Sequence, residues 1–145
     1  MRNSNTITEG ARISIVDDDE SMREAIATLI GSMGLSVEEY SSAEEFLYSG
    51  RPQVFDCLIL DVRMPGLSGL ELQRRLAADK RRIPIVFITA HYSEEERIRA
   101  MEAGAVDFLS KPFTEQELLN AISASLAIDK EVADGSDEGT NLNSV

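Results

Sequence analysis

The sequence predicts an α/β fold, a parallel β-sheet with helices on both faces. Two observations carry this. Five strand-like apolar runs alternate with longer segments of helical period, and the helical segments open on capping signals at the expected junctions.

The first run, Ile13-Ser14-Ile15-Val16, stops at Asp17-Asp18-Asp19. After it, Met22, Ala25, Ile26, Leu29, Ile30 and Met33 recur at three- and four-residue spacing, so all six are expected on the core face of a helix. The second run spans Leu35 to Glu39. Ser42, with Glu45 three residues on, marks the next helix, and Gly50 before Pro52 marks its end. The third run, Phe55 to Leu60, leads directly into Asp61, and its unbroken apolar core Leu58-Ile59-Leu60 reads as a strand buried on both faces. Ser68 with Glu71 opens a third helix. The fourth run, Ile83 to Ile88, stops at Thr89; Ser93 with Glu96 opens the helix that Gly104 closes. The fifth run, Ala105 to Leu109, precedes Lys111-Pro112, and Thr114 with Glu117 opens the last helix. In each Ser/Thr-x-x-Glu pair the hydroxyl can accept from an early helical N–H while the glutamate reaches back, which satisfies two orphan donors. Short connections between such strands require right-handed crossovers and a parallel sheet.

A chain of 145 residues with 43% hydrophobic content suits one domain with a real core. That domain is expected over residues 11–128, between a polar segment 1–10 and an acidic tail 129–145, both too poor in apolar surface to offset their ordering entropy. A net charge of -12 argues against binding nucleic acid or an anionic membrane through a general basic surface. The single cysteine, Cys57, falls inside a strand and reads as a small buried hydrophobe, with no disulfide framework or CxxC motif. The amino end has no apolar signal segment, and no stretch approaches the ~18 apolar residues of a membrane span, so a soluble cytoplasmic protein is expected.

In open parallel sheets ligands collect beyond the carboxyl ends of the strands, where Asp17, Asp18 and Asp61 should meet. Their mutual repulsion calls for a cation, and an all-oxygen cluster suits Mg²⁺. The competing reading is that the Asp17 to Glu20 run caps the first helix. Lys111 favours the site: it follows the fifth run on the same edge, where its ammonium can reach Asp61. With Thr89 the edge then holds a carboxylate nucleophile, metal ligands, a hydroxyl donor and a fixed cation, the parts that phosphoryl transfer needs.

These residues carry a family resemblance. Ile15-Val16-Asp17-Asp18, Leu60-Asp61-Val62-Arg63-Met64-Pro65-Gly66, Ile88-Thr89-Ala90 and Gly104-Ala105-Val106-Asp107-Phe108-Leu109-Ser110-Lys111-Pro112-Phe113 resemble response-regulator receiver domains in order and spacing, from about Ala11 to Ile128. The last stretch is most similar to FixJ-type receivers, which in two-domain relatives precede a DNA-binding helix-turn-helix. The resemblance implies a flavodoxin-like strand order, 2-1-3-4-5. It implies that Asp61 accepts a phosphoryl group from a histidine kinase or histidine phosphotransfer protein. It also implies that Asp18, Asp61 and the backbone carbonyl of Arg63 hold Mg²⁺ (or Mn²⁺), Asp17 acts through bound water, and Lys111 pairs with the phosphate beside Ala90. Thr89 and Phe108 form the expected switch: Thr89 moves to a phosphoryl oxygen, and the ring of Phe108 turns into the vacated space. A cis Lys111-Pro112 peptide is implied too. Such a protein is a phosphoacceptor with slow autodephosphorylation rather than an enzyme.

Arg63 and His91, each two positions beyond a site residue, occupy places that in receivers border the attacking water's path. Ala90 is small and keeps the approach to the phosphate open. With no helix-turn-helix after Ile128, a stand-alone module signalling to a partner is expected, read through the face built from the Ser93 helix, the fifth strand and the Thr114 helix, by a downstream effector or by its own dimer. The alternative is the isolated receiver of a FixJ/LuxR-type DNA-binding transcriptional regulator. Aspartate-nucleophile phosphatases want an acid where Arg63 stands, and a flavin or nucleotide phosphate would be repelled by Asp17-Asp18-Asp19.

Overall fold

Strands with apolar side chains on both faces are buried only by a sheet sandwiched between helices, and that is the arrangement found. The computed structural model describes residues 10–49 and 54–128. The expectations for the amino-terminal segment, for Gly50 and Pro52, and for the acidic tail lie outside these residues. Strands β1 (Arg12–Val16), β2 (Ser36–Tyr40), β3 (Cys57–Asp61), β4 (Ile85–Thr89) and β5 (Asp107–Ser110) alternate with helices α1 (Glu20–Gly31), α2 (Ala43–Tyr48), α3 (Gly69–Ala78), α4 (Glu94–Glu102) and α5 (Glu115–Leu126). The sheet order is β2-β1-β3-β4-β5, all neighbours parallel, as the resemblance implies.

Alternation along the strands sorts the core into two layers. Ile13, Ile15, Ile59, Val86 and Ile88 pack against Ile26 and Ile30 of α1 and Leu118, Ala121 and Ile122 of α5. Leu58, Leu60, Phe87 and Phe108 face α2, α3 and α4 through Phe46, Leu72, Leu76 and Ala100. Every residue of β3 and β4 is buried, so burial on both sides pins their register. Among the described residues no helix is long and apolar enough to cross a membrane.

Several local expectations are corrected. Met33 is 40% exposed, because α1 ends at Gly31 and the helical period stops before it. Ala25 is also exposed, lying about 100° round the helix from the buried Ile26. Complete capping boxes form at Ser68 and Thr114 but not at Ser42 or Ser93. Glu45 turns instead to the N–H and hydroxyl of Ser41, at 2.7 and 3.0 Å. Glu96 turns to Arg63. The acid run after β1 divides its labour: Asp19 caps α1, accepting from the Met22 N–H at 3.2 Å, while Asp17 is buried in the site.

Helix α3 begins hard against the end of β3. The Gly69 N–H donates to the Val62 carbonyl at 2.9 Å, and a Cβ on Gly69 would stand 2.2 Å from the Asp61 carbonyl oxygen. The loop between them is strapped from α2, where a Glu44 carboxylate oxygen accepts from the Leu67 N–H at 2.9 Å. That same oxygen fills the space a Cβ would take at Gly66, whose φ is +79°.

Gly69→Ala should therefore lower unfolding free energy by about 2 kcal/mol or more, since the obstacle is backbone that cannot rotate away. A urea denaturation midpoint unchanged from the wild type would contradict this close approach.

Candidate functional site

Ladder hydrogen bonds carry the strands just far enough to present the site. The Asp17 N–H donates to Tyr40 O at 3.1 Å, the Val62 N–H to Ile88 O at 3.0 Å and the Lys111 N–H to Thr89 O at 2.7 Å. Asp61 and Thr89 are thus the last residues of β3 and β4, held by strand geometry, with Asp17 and Lys111 one residue past β1 and β5. One carboxylate oxygen from each of Asp17, Asp18 and Asp61 lies within 4.8 Å of the others. Asp17 and Asp61 are buried and Asp18 is exposed.

Lys111 supplies the positive charge. Its Nζ stands 3.9 Å from Asp61 Oδ2, so the ammonium reaches Asp61 as expected, and it lies closer still to Asp17, 3.2 Å from Oδ2. Asp17 is further oriented by the Asp19 N–H, which donates to Oδ1 at 2.9 Å, and the Arg23 guanidinium holds the Asp17 carbonyl at 2.8 Å. The Lys111-Pro112 peptide is cis, as the resemblance implies.

One ammonium does not balance three acids. Burial, with the charge of Asp17 next, pushes the Asp61 carboxyl up from the ordinary carboxylate range to about 7, against the opposing pull of Lys111. The donor set fits a hard divalent cation: all oxygen, excess negative charge, one exposed carboxylate on the solvent side. Receiver domains bind Mg²⁺ through such an acidic cluster.

The remaining expected residues surround it. Thr89 Oγ1 accepts from the His91 N–H at 3.0 Å and faces the His91 carbonyl at 3.2 Å, so the hydroxyl is engaged with its own loop. Ala90 and His91 are exposed. Phe108 is buried, its ring 6.0 Å from Phe87 and 6.0 Å, edge to face, from the half-exposed Tyr92. Arg63 points to α4: its guanidinium lies 3.3 Å from Glu96 Oε1, with the Arg63 side chain 54% exposed. Sequence reading missed this pair, and missed Glu44, whose carboxylate braces the loop after Asp61. No local signal marks either one, because both join residues far apart in the chain.

Asp61 fixes a pH dependence whose sign is definite. Its pKa is raised in the folded state, so above pH 7 the buried charge destabilises the metal-free fold, and the cost is relieved as pH falls from about 7 toward 4. With chelator present, Asp61→Asn should raise the melting temperature at pH 8 by a few degrees, about 1 kcal/mol or more, and the gain should shrink near pH 4.5. A constant difference across that range would contradict the raised pKa.

Comparison with known proteins agrees with this geometry. A family model for the response regulator receiver domain matches residues 13–123. Nodulation protein W of Bradyrhizobium diazoefficiens is 47% identical over 135 residues, covering 93% of this chain and 60% of that protein. The transcriptional regulatory protein FixJ of Azorhizobium caulinodans is 41% identical over 118 residues, covering 81% of this chain and 56% of that protein. The chain thus spans a little over half the length of these curated relatives. The solved structure of the response regulator StyR superimposes with a TM-score of 0.80 at 45% identity, covering 93% of this chain and 68% of that one. Parallel strand order, the acidic edge with its lysine, and a family match over most of the chain lead to one assignment: this chain belongs to the response-regulator receiver domains of two-component signalling.

Proposed function

We propose that residues 11–128 act in the cytoplasm as a phosphoacceptor module whose acceptor is Asp61, charged by a histidine kinase or a histidine phosphotransfer protein. The single observation that carries this is the position of the Lys111 ammonium, within 4 Å of both buried acids, Asp17 and Asp61, on the open edge of the sheet. A carboxylate oxygen of Asp61 attacks the phosphorus of a phosphohistidine, the P–N bond breaks, and the imidazole leaves with a proton. The product is an acyl phosphate on Asp61. Lys111 pairs with a phosphoryl oxygen as that charge arrives.

Asp18, Asp61 and the Arg63 carbonyl would hold Mg²⁺ or Mn²⁺, with Asp17 acting through water. When bound, the ion supplies the positive charge that keeps Asp61 ionised and neutralises phosphoryl oxygens. Thr89 then exchanges its contact with His91 for a phosphoryl oxygen, beside the small Ala90. Phe108 leaves its place against Tyr92 for the space vacated, and the changed α4–β5–α5 face is read by an effector protein or a second copy. Receiver domains are not enzymes in the ordinary sense. Here the absence of an acid at Arg63 supports slow autodephosphorylation rather than turnover, since nothing at that position can protonate a leaving group. Neither nucleic acid nor a membrane is a direct partner on this reading, which the charge of -12 supports. A second reading, that the phosphate governs an attached DNA-binding portion, is favoured by one observation: FixJ is a transcriptional regulatory protein, and this chain spans 56% of it.

Asp61→Asn should abolish phosphorylation by acetyl phosphate with Mg²⁺, read by intact mass and by peptide mapping. Label at the wild-type level elsewhere would overturn the assignment. Asp18→Ala should weaken Mg²⁺ binding in a metal titration by tenfold or more, which is about 1.4 kcal/mol or more; an unchanged affinity would leave Asp18 a surface acid. Lys111→Ala should still accept phosphate yet fail to pass the signal to the partner.

A further inference from the structure

The Ser93 helix start is the one place where a complete capping signal in the sequence is set aside for a contact with the site. At Ser68 and Thr114 the glutamate three residues on accepts from the capping residue's own N–H, at 2.8 and 2.9 Å. At Ser93 only half of the box forms. The Ser93 hydroxyl accepts from the Glu96 N–H at 3.2 Å, but the Glu96 carboxylate reaches across to Arg63, two residues beyond Asp61. The other first-turn acid with a cation, Glu94, is held by Arg97 at 2.8 and 3.0 Å, so Glu96 is the first-turn acid that links α4 to the acceptor loop.

The two positions open to Glu96 are close in energy. A part-exposed ion pair and a capping hydrogen bond are both weak interactions, the Arg63 side chain being 54% exposed and that of Glu96 21%. A phosphoryl group on Asp61 brings a second, stronger anion within two residues of Arg63. Guanidinium binds phosphate oxygens in a bidentate fork that a single carboxylate contact at 3.3 Å does not match.

We infer that Arg63 and Glu96 form a charge-operated link from the acceptor to α4, in which phosphorylation draws Arg63 off Glu96 and frees Glu96 to complete the capping box on the Ser93 N–H. Glu96 is a positioning residue in this scheme, acting on the first turn of α4. The link rests on Asp61 being the phosphoacceptor, but it runs separately from Thr89 and Phe108. It gives α4 a tighter amino terminus in the phosphorylated state.

Hydrogen exchange at the Ser93 amide tests the link, followed by NMR in the full chain with and without acetyl phosphate and Mg²⁺, while phosphoryl incorporation is measured by mass in the same samples. Ser93 exchange should slow by about five- to tenfold on phosphorylation of the wild type. Glu96→Gln, which can still cap but cannot form the ion pair, should show slow exchange in both states. Arg63→Ala should show it before phosphorylation, and Glu96→Ala should show fast exchange throughout. Incorporation with no change at Ser93, or slow exchange in the unmodified wild type, overturns the link while leaving the phosphoacceptor reading intact. Absence of incorporation at Asp61 overturns both.

Discussion

The contact on which the rest of the site depends is the Lys111 ammonium between two buried carboxylates. Asp17 and Asp61 are brought together by neighbouring strands, and without a cation their charges would force one of them to protonate or the edge to open. Lys111 arrives from β5, separated from β1 by both β3 and β4, so this compensation exists only when the sheet is complete. The site and the fold are thus one cooperative object. The remaining imbalance is visible in Asp61, whose carboxyl stays near pH 7 in its tendency to hold a proton. A carboxyl held there is returned to its ionised form by a small gain in local positive charge.

Much of this architecture was legible in the residue order, for a physical reason. Strands buried on both faces leave uninterrupted apolar runs, and β3 and β4 read almost directly as Phe55 to Leu60 and Ile83 to Ile88. Helix starts were legible because hydroxyl and glutamate residues three apart satisfy a purely local need. What failed was reciprocity: Glu45 and Glu96 sit at the correct spacing, yet each took a partner other than its own cap. Local patterns specify which bonds are available, while the tertiary neighbourhood decides which are made. Met33 fails similarly, because a periodic stripe does not announce where the helix beneath it stops.

The site was legible to the extent that it depends on strand ends. Asp61, Thr89 and Lys111 follow apolar runs, so their meeting at one edge follows from parallel pairing alone. The ranking of contacts within the edge was not legible. That Lys111 prefers Asp17 to Asp61 depends on tenths of an ångström set by packing. The Glu44 strap and the Arg63–Glu96 pair join segments with no sequence relation, and only the folded chain reveals them.

The elements around Asp61 are anchored unequally. α3 buries half its residues and starts against the carbonyl of Asp61, whereas α4 buries Ala100 and is tied to its neighbour by the Gln73 amide donating to the Ala100 carbonyl at 3.1 Å. Because Gly69 lets the α3 backbone press on the Asp61 main chain, β3 has no room to recoil when charge is added at its tip. Asp61 sits on an anvil. On the proposed reading, a phosphoryl group added at Asp61 would therefore push outward, onto side chains and the lightly held helix opposite, and this asymmetry would give the response a direction before any partner is present.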